Sequence, residues 1–261
     1  MTSSKAIGIF DSGVGGLTVL EQIRKELPNE NIIYLGDTKN FPYGTKSKEE
    51  IIECSKNNTK KLLEKGVKVI VVACGTATSQ AIEELKNEFD VPIIGIIEPT
   101  VKYIKEKNIN KIGVMATEGT IKNGAWERYL KKDILDIEVE NKACPVMATI
   151  AEKGRALSQE GREAIREYTK PFINKNIKTI ILGCTHYPIY QKIIKEEMPY
   201  EVELIDTGYT VAKYLKKYLA DNNMENKEIK NKEIVYLTKS EDNFKDIAKN
   251  ILNCNINIEI I

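Results

Sequence analysis

The chain carries one histidine and one tryptophan in 261 residues, and its five cysteines, Cys54, Cys74, Cys144, Cys184 and Cys254, contain no CxxC pair. A lone histidine cannot build an imidazole metal cage. An odd set of cysteines without that spacing gives neither a zinc ribbon nor a disulfide framework, so no metal is expected. A charge excess of either sign is missing too: 39 Lys plus Arg stand against 38 Asp plus Glu. The near-neutral balance gives no basic stripe for nucleic acid and no attraction to an anionic membrane. No apolar run approaches the roughly 20 residues of a membrane span, and MTSSKAIGIF lacks the apolar core of a secretory signal. The expected location is the cytoplasm, with thiols reduced.

What is present is a repeated phrase. KTIILGCTHYP, residues 178–188, runs Ile180, Ile181 and Leu182 through Gly183 into Cys184, Thr185 and the single histidine, His186. KVIVVACGT, residues 68–76, runs a similar apolar segment into Cys74, Gly75 and Thr76. Short unbroken apolar runs read as strands buried on both faces, as in a parallel sheet. Open α/β sheets bind ligands just beyond such strand ends. Two strand-Cys-Thr units therefore predict two related halves, each offering one thiol to a shared crevice.

The rest of the chain alternates in the same way. KAIGIF (5–10) is a strand, followed by DSGVGG and an amphipathic helix with Leu17, Leu20, Ile23 and Leu27 at helical spacing. A strand at 31–36 exits at Asp37 into the turn-rich FPYGT (41–45). Ser47 with Glu50 fits a capping box opening a helix over 48–65. A helix over 78–89 and the strand VPIIGII (91–97) follow the Cys74 strand. After Glu98-Pro99 the pattern restarts: a strand at 111–115, one helix after ATEGT carrying Trp126, Tyr129 and Leu130, a strand at 134–139, and a helix over 158–174. The Cys184 strand, a helix over 189–198, a strand at 202–206 and a helix over 210–219 come next. ADNNMENKEIKNK (220–232) reads as a solvated loop, and the final strand-helix-strand returns to the first sheet. The expected fold is α/β, with two pseudo-symmetric doubly wound parallel-sheet domains, 1–98 with 208–261 and 99–207, facing a shared cleft.

The polar residues at strand exits are Asp11, Ser12, Asp37, Cys74, Thr76, Thr117, Cys184, Thr185 and His186. An arbitrary cysteine in such a segment is most often a small hydrophobe. The matched positions of Cys74 and Cys184, each beside a threonine and ahead of a helix whose N-terminal field favours a thiolate, point to function. His186, two residues from Cys184, shares its face if the segment is extended, which favours proton transfer over metal binding. Asp11 and Asp37 could merely cap or brace turns. Cys54, Cys144 and Cys254 read as structural.

DSGVGGLTVL (11–20), GDTKNFPYG (36–44), VVACGTAT (71–78), ATEGTIKNG (116–124) and LGCTHYP (182–188) together resemble the glutamate racemases of the cofactor-independent amino-acid racemase superfamily, over nearly the whole chain. The resemblance implies a reaction without cofactor: one thiolate removes the α-proton of glutamate while the opposite thiol protonates the other face. It implies that Cys74 acts on D-glutamate and Cys184 on L-glutamate, with Asp11 assisting near Cys74, His186 near Cys184, and Asp37 and Glu152 in supporting roles. Substrate contacts carry over to Asp11, Ser12, the Pro42-Tyr43-Gly44 turn, Gly75, Thr76, Thr120 and Thr185. Asparagine usually follows the first cysteine in that family, and Gly75 offers only its backbone there. Trp126 stands where a tyrosine is usual and reads as packing. A role in supplying D-glutamate for peptidoglycan, glutamate as the small-molecule partner, and a homodimer are further implications.

Other readings stay open at this level. A glycine-rich turn with Asp37 about 20 residues on is the outline of a dinucleotide-binding oxidoreductase, although Thr18 falls where its third glycine belongs. A two-lobed amino-acid-binding protein needs no paired thiols. An aspartate racemase fits the cysteines and leaves a use for Gly75.

Overall fold

Five consecutive buried residues form β1 (Ile7–Asp11), and α1 (Leu17–Glu26) follows the glycine-rich turn, burying Leu17, Val19, Leu20 and Ile23. The computed structural model describes residues 4–227, 232–241, 244–254 and 256–261. The first series continues through β2 (Ile32–Gly36), α2 (Lys48–Glu64), β3 (Val69–Val72), α3 (Gly75–Glu88), β4 (Ile93–Gly95) and α4 (Ile97–Glu106). A second series runs β5 (Lys111–Ala116), α5 (Glu118–Asn123), α6 (Ala125–Asp133), β6 (Glu138–Ala143), α7 (Met147–Glu152), α8 (Gln159–Asn174), β7 (Thr179–Leu182), α9 (Gln191–Glu197) and β8 (Glu203–Asp206). Then come α10 (Thr207–Asp221), β9 (Glu233–Leu237), α11 (Phe244–Leu252) and β10 (Ile258–Ile260).

The strands form two sheets, β10-β9-β2-β1-β3-β4 and β6-β5-β7-β8, with every pairing parallel. The order 2-1-3-4 recurs as 6-5-7-8, so the two α/β domains repeat one winding. In each, the first strand sends the chain to one side and the third strand begins on the other. β9 joins the first sheet beside β2, with Ile32 opposite Glu233, so the C-terminal segment does return there.

One apolar cluster runs from Leu20 and Ile23 of α1 through Val211 and Leu215 of α10 to Trp126 and Ile181 of the second domain. Each fully buried Leu or Ile contributes about 1.5–3 kcal/mol, so the two domains share stabilising core as well as a cleft. Among the described residues, no helix is long and apolar enough to cross a membrane.

The structure corrects several boundaries. β4 stops at Gly95, and Ile96 and Ile97 open α4 instead of extending the strand. Pro99, read as a break, sits in that helix's first turn, where its missing N–H has no intrahelical partner to lose. The expected helix after ATEGT is divided into α5 and α6 by Gly124, at φ 70°. β6 begins four residues later than expected, because Asp136 takes a left-handed conformation (φ 57°) and the strand is a half-exposed edge without an apolar run to mark it. α3 starts at Gly75, three residues early.

Residues 228–231 of the stretch read as a solvated loop lie outside the described residues, as do Asp242 and Asn243 at the start of the last helix read from the sequence. Over 220–227 the stretch is largely exposed, as expected, but two of its residues turn inward. Met224 and Asn226 are buried: Lys68 Nζ donates to Met224 O at 2.7 Å, and Asn226 N donates to Glu30 Oε1 at 2.7 Å.

Candidate active site

The winding of each sheet leaves a crevice beyond the carboxyl ends of its first and third strands. In the first sheet this places Asp11, the last residue of β1, and Ser12 beside Cys74, after β3; in the second it brings Thr117, after β5, and Cys184, after β7, to the same cleft. Both thiols line one narrow cleft of about 60 Å3. A larger cavity of about 480 Å3, bordered by Gln22, Leu157, Ile189 and Ile251, holds neither thiol. Size alone would favour it, but the reactive groups converge in the small cleft.

Cys74 caps α3, its Sγ accepting from Ala77 N at 3.5 Å, with Ser12 Oγ at 3.9 Å. The helix N-terminus was expected to make this thiol acidic. Burial outweighs it: together with the negative charge at Asp11 it pushes the Cys74 thiol up to about 12, against the opposing pull of Ala77 N–H and the Ser12 hydroxyl.

Across the cleft, the ring of His186 lies between two acidic groups. Its Nδ1 is 3.6 Å from Cys184 Sγ and its Nε2 is 2.7 Å from Glu152 Oε1. The same carboxylate oxygen accepts Val14 N from the first domain at 2.8 Å. Burial works against a charged imidazole here, but the hydrogen bonds and negative charge of Cys184 and Glu152 hold its pKa well above the ordinary histidine range. Residues 184–186 form a turn instead of an extended segment, so the Cys184–His186 contact comes from chain reversal and not from strand alternation.

Asp11 is fully buried behind the lining. It accepts Gly13 N at 3.0 Å and, from the other domain, Thr185 Oγ1 at 3.1 Å. Burial raises its pKa; the nearby His186 charge and the Gly13 and Thr185 donors counteract part of that, and Glu152 adds to it. Asp37 is held by Tyr43 OH at 2.5 Å, Thr238 Oγ1 at 2.9 Å, and Asn40 and Asn58. This carboxylate braces the Tyr43 turn and has no freedom to hold a ribose, which removes the basis of the dinucleotide reading.

Of the residues singled out from the sequence, Ser12, Pro42, Tyr43, Gly44 and Gly75 line the cleft with the two cysteines, as do Thr76, Thr185 and His186. Asp11, Asp37, Glu152 and Thr120 do not; they stand one layer back. Thr120 reaches the cleft through Thr117, whose Oγ1 is 2.9 Å from both Thr120 Oγ1 and Thr76 Oγ1. The lining also includes Phe41, Thr45, Glu118, Pro145, Ala148 and Thr149, which sequence reasoning did not select. Phe41 was legible through FPYGT and tilts against the His186 ring at 5.9 Å. Ala148 and Thr149 lie in the first turn of α7 and Pro145 just ahead of it, a segment in which the sequence shows no strand-exit signal.

The lining contains no lysine or arginine. Hydroxyls of Ser12, Thr76, Thr117 and Thr185 and backbone N–H groups at turns are the donors available to a carboxylate. Two thiols from different domains, one beside a charged imidazole, can take a proton from one face of a small ligand and return one to the other.

The profile of the Asp/Glu/hydantoin racemase family matches residues 7–215. A glutamate racemase of Bacillus cereus (strain ATCC 10987 / NRS 248) is 39% identical over 250 residues, covering 95% of this chain and 93% of that one. One from Aquifex aeolicus (strain VF5) is 41% identical over 247 residues, covering 94% and 93%. The crystal structure of glutamate racemase from Francisella tularensis subsp. tularensis SCHU S4 in complex with D-glutamate superposes with a TM-score of 0.93 at 33% identity, over 99% of this chain and 98% of that one.

Proposed function

The chain belongs to the Asp/Glu/hydantoin racemase family, and from that premise we propose that it interconverts L- and D-glutamate without a cofactor, by proton transfer between Cys74 and Cys184. The observation that carries this reading is that matched strand ends of two repeated sheets each deliver one thiol to the same cleft. The glutamate racemase relatives and the D-glutamate held by the Francisella tularensis protein support the substrate.

In the direction from L-glutamate, the Cys184 thiolate takes the α-proton, and the S–H of Cys74 delivers its proton to the opposite face. The pair leaves the cycle as Cys184 thiol and Cys74 thiolate, ready for D-glutamate. Charged His186 stabilises the thiolate at Cys184 and is itself held by Glu152. Cys74 needs a cation to ionise, and the substrate ammonium group brings one into a site whose lining has no lysine or arginine.

No electron sink delocalises the carbanion, so fixed donors at the substrate carboxylate and exclusion of water must lower the barrier. Closure of residues 1–98 with 208–261 against residues 99–207 supplies both. The location is the cytoplasm, the product D-glutamate enters peptidoglycan precursor synthesis, and the protein works as a homodimer. These three assignments rest on likeness to the family.

The test is direct. Purified protein with no added cofactor is given L-glutamate, with L-aspartate run in parallel, and optical activity is followed. Loss of optical activity with glutamate and not with aspartate supports the reading; turnover of aspartate alone, or of neither, contradicts it.

A further inference from the structure

Gly75 opens α3 and faces, across the cleft, the turn that follows β7. A Cβ built on Gly75 would fall well inside 3.0 Å of the Gly183 carbonyl oxygen, closer than real Cβ atoms approach any neighbour. That oxygen belongs to backbone anchored in the second sheet, where Gly183 N donates to Met115 O at 2.8 Å. Gly183 is confined on its other side too: a Cβ there would stand 2.9 Å from both Met115 O and Trp126 Nε1. Gly15 meets the second domain almost as closely, but its neighbours are the side-chain ends of His186 and Thr185, which can turn aside. At Gly75 nothing can rotate away. The contact joins the residue after Cys74 to the residue before Cys184.

We propose that Gly75 is a positioning residue: its bare backbone seats on the Gly183 carbonyl, and this contact sets the closed spacing of Cys74 and Cys184. It deepens the racemase reading, and its kinetic readouts rest on that reading; its spacing and fluorescence readouts do not. In this chain, whose strand ends meet at bare backbone, a side chain at 75 has to move them apart by several tenths of an ångström. Displacements near 1 Å in a two-base site cost about 10²-fold in rate.

Gly75→Ala adds a single methyl group and tests the idea. In crystals of the substrate-free variant, the Cα atoms of Cys74 and Cys184 lie further apart than in the wild type. The emission of Trp126, the only tryptophan and packed against Gly183, shifts. The kcat for glutamate falls about 10–100-fold. Exchange of the α-proton with solvent falls less than racemisation, because the thiol that removes the proton still reaches it. A mere loss of folded protein would lower exchange and racemisation together and leave the crystal spacing unaltered. Unchanged spacing or wild-type kcat overturns the proposal. If the variant does not fold, a wild-type crystal structure decides: van der Waals contact between Gly75 Cα and Gly183 O supports it, and a gap beyond about 4.5 Å overturns it. Absence of racemisation by the wild type would count against the glutamate reading and leave the spacing and emission readouts intact.

Discussion

Cys184 Sγ lies 3.6 Å from Nδ1 of His186, inside a turn that folds the histidine back over the residue two before it. The imidazole keeps its proton to a higher pH than usual, which places a charged donor beside the Cys184 sulfur. His186→Gln is expected to lower kcat by about 10²–10⁴-fold, the usual range for losing a proton-transfer partner. The enantiomers have equal free energies, so kcat/KM must fall equally in both directions. The asymmetry is expected instead in the α-deuterium isotope effect, which grows for L-glutamate, the substrate that the proposed mechanism has Cys184 deprotonate. Steady-state kinetics with α-deuterated L- and D-glutamate measure it.

Glu152 joins the two domains through one oxygen, shared between His186 Nε2 and Val14 N. Removing its charge removes one of the two groups that hold the histidine proton. In Glu152→Gln, the limb of the kcat/KM profile that reports His186 moves to lower pH. A profile of unchanged shape and position would separate Glu152 from the imidazole.

The same raised pKa makes a prediction about stability. An imidazole that binds its proton more tightly when folded stabilises the protein fully below its unfolded value, near 6.5, and loses that contribution as pH rises through the folded value. The melting temperature of the wild type should therefore decline as pH rises from about 6.5 to about 8.5, before thiols titrate. His186→Gln, measured by calorimetry across that window, should show a flatter profile.

Asp11 carries the opposite sign. Its folded pKa lies above 3.8 chiefly because burial penalises the carboxylate, so the fold loses stability as pH rises from about 3.8 through the folded value. Asp11→Asn should raise the melting temperature at pH 7, by about 2–4 °C for each kcal/mol recovered, while lowering kcat at least about tenfold. A variant both less stable and fully active would contradict the placement of Asp11 behind the thiols.

Stability can also be changed away from the cleft. Ser47 Oγ accepts Glu50 N at 3.2 Å and Glu50 Oε2 accepts Ser47 N at 2.9 Å, closing the capping box of α2. Ser47→Ala should cost about 1 kcal/mol in denaturant unfolding and leave kcat unaltered.

The central strands, that capping box and both catalytic candidates were legible because unbroken apolar runs and matched Cys-Thr exits are local signals. The bounds of β6 were not, since EVENKA is a polar edge strand with a neighbour on one side only. The acidity of Cys74 was misjudged for a related reason: the field of α3 is written locally, whereas burial by the opposite domain is not. Glu152 reaches His186 only because α7 and the turn after β7 converge in the second sheet. Pro145, Ala148 and Thr149 likewise enter the lining through tertiary packing alone.

The central claim, one thiol on each face of the α-carbon, is tested most directly by racemisation in deuterium oxide. Early in the reaction of L-glutamate, the account predicts D-glutamate carrying deuterium at the α-carbon and recovered L-glutamate still carrying protium, with both Cys74→Ala and Cys184→Ala unable to racemise. Product that retains its original α-proton, or either alanine variant with wild-type racemisation, would contradict it.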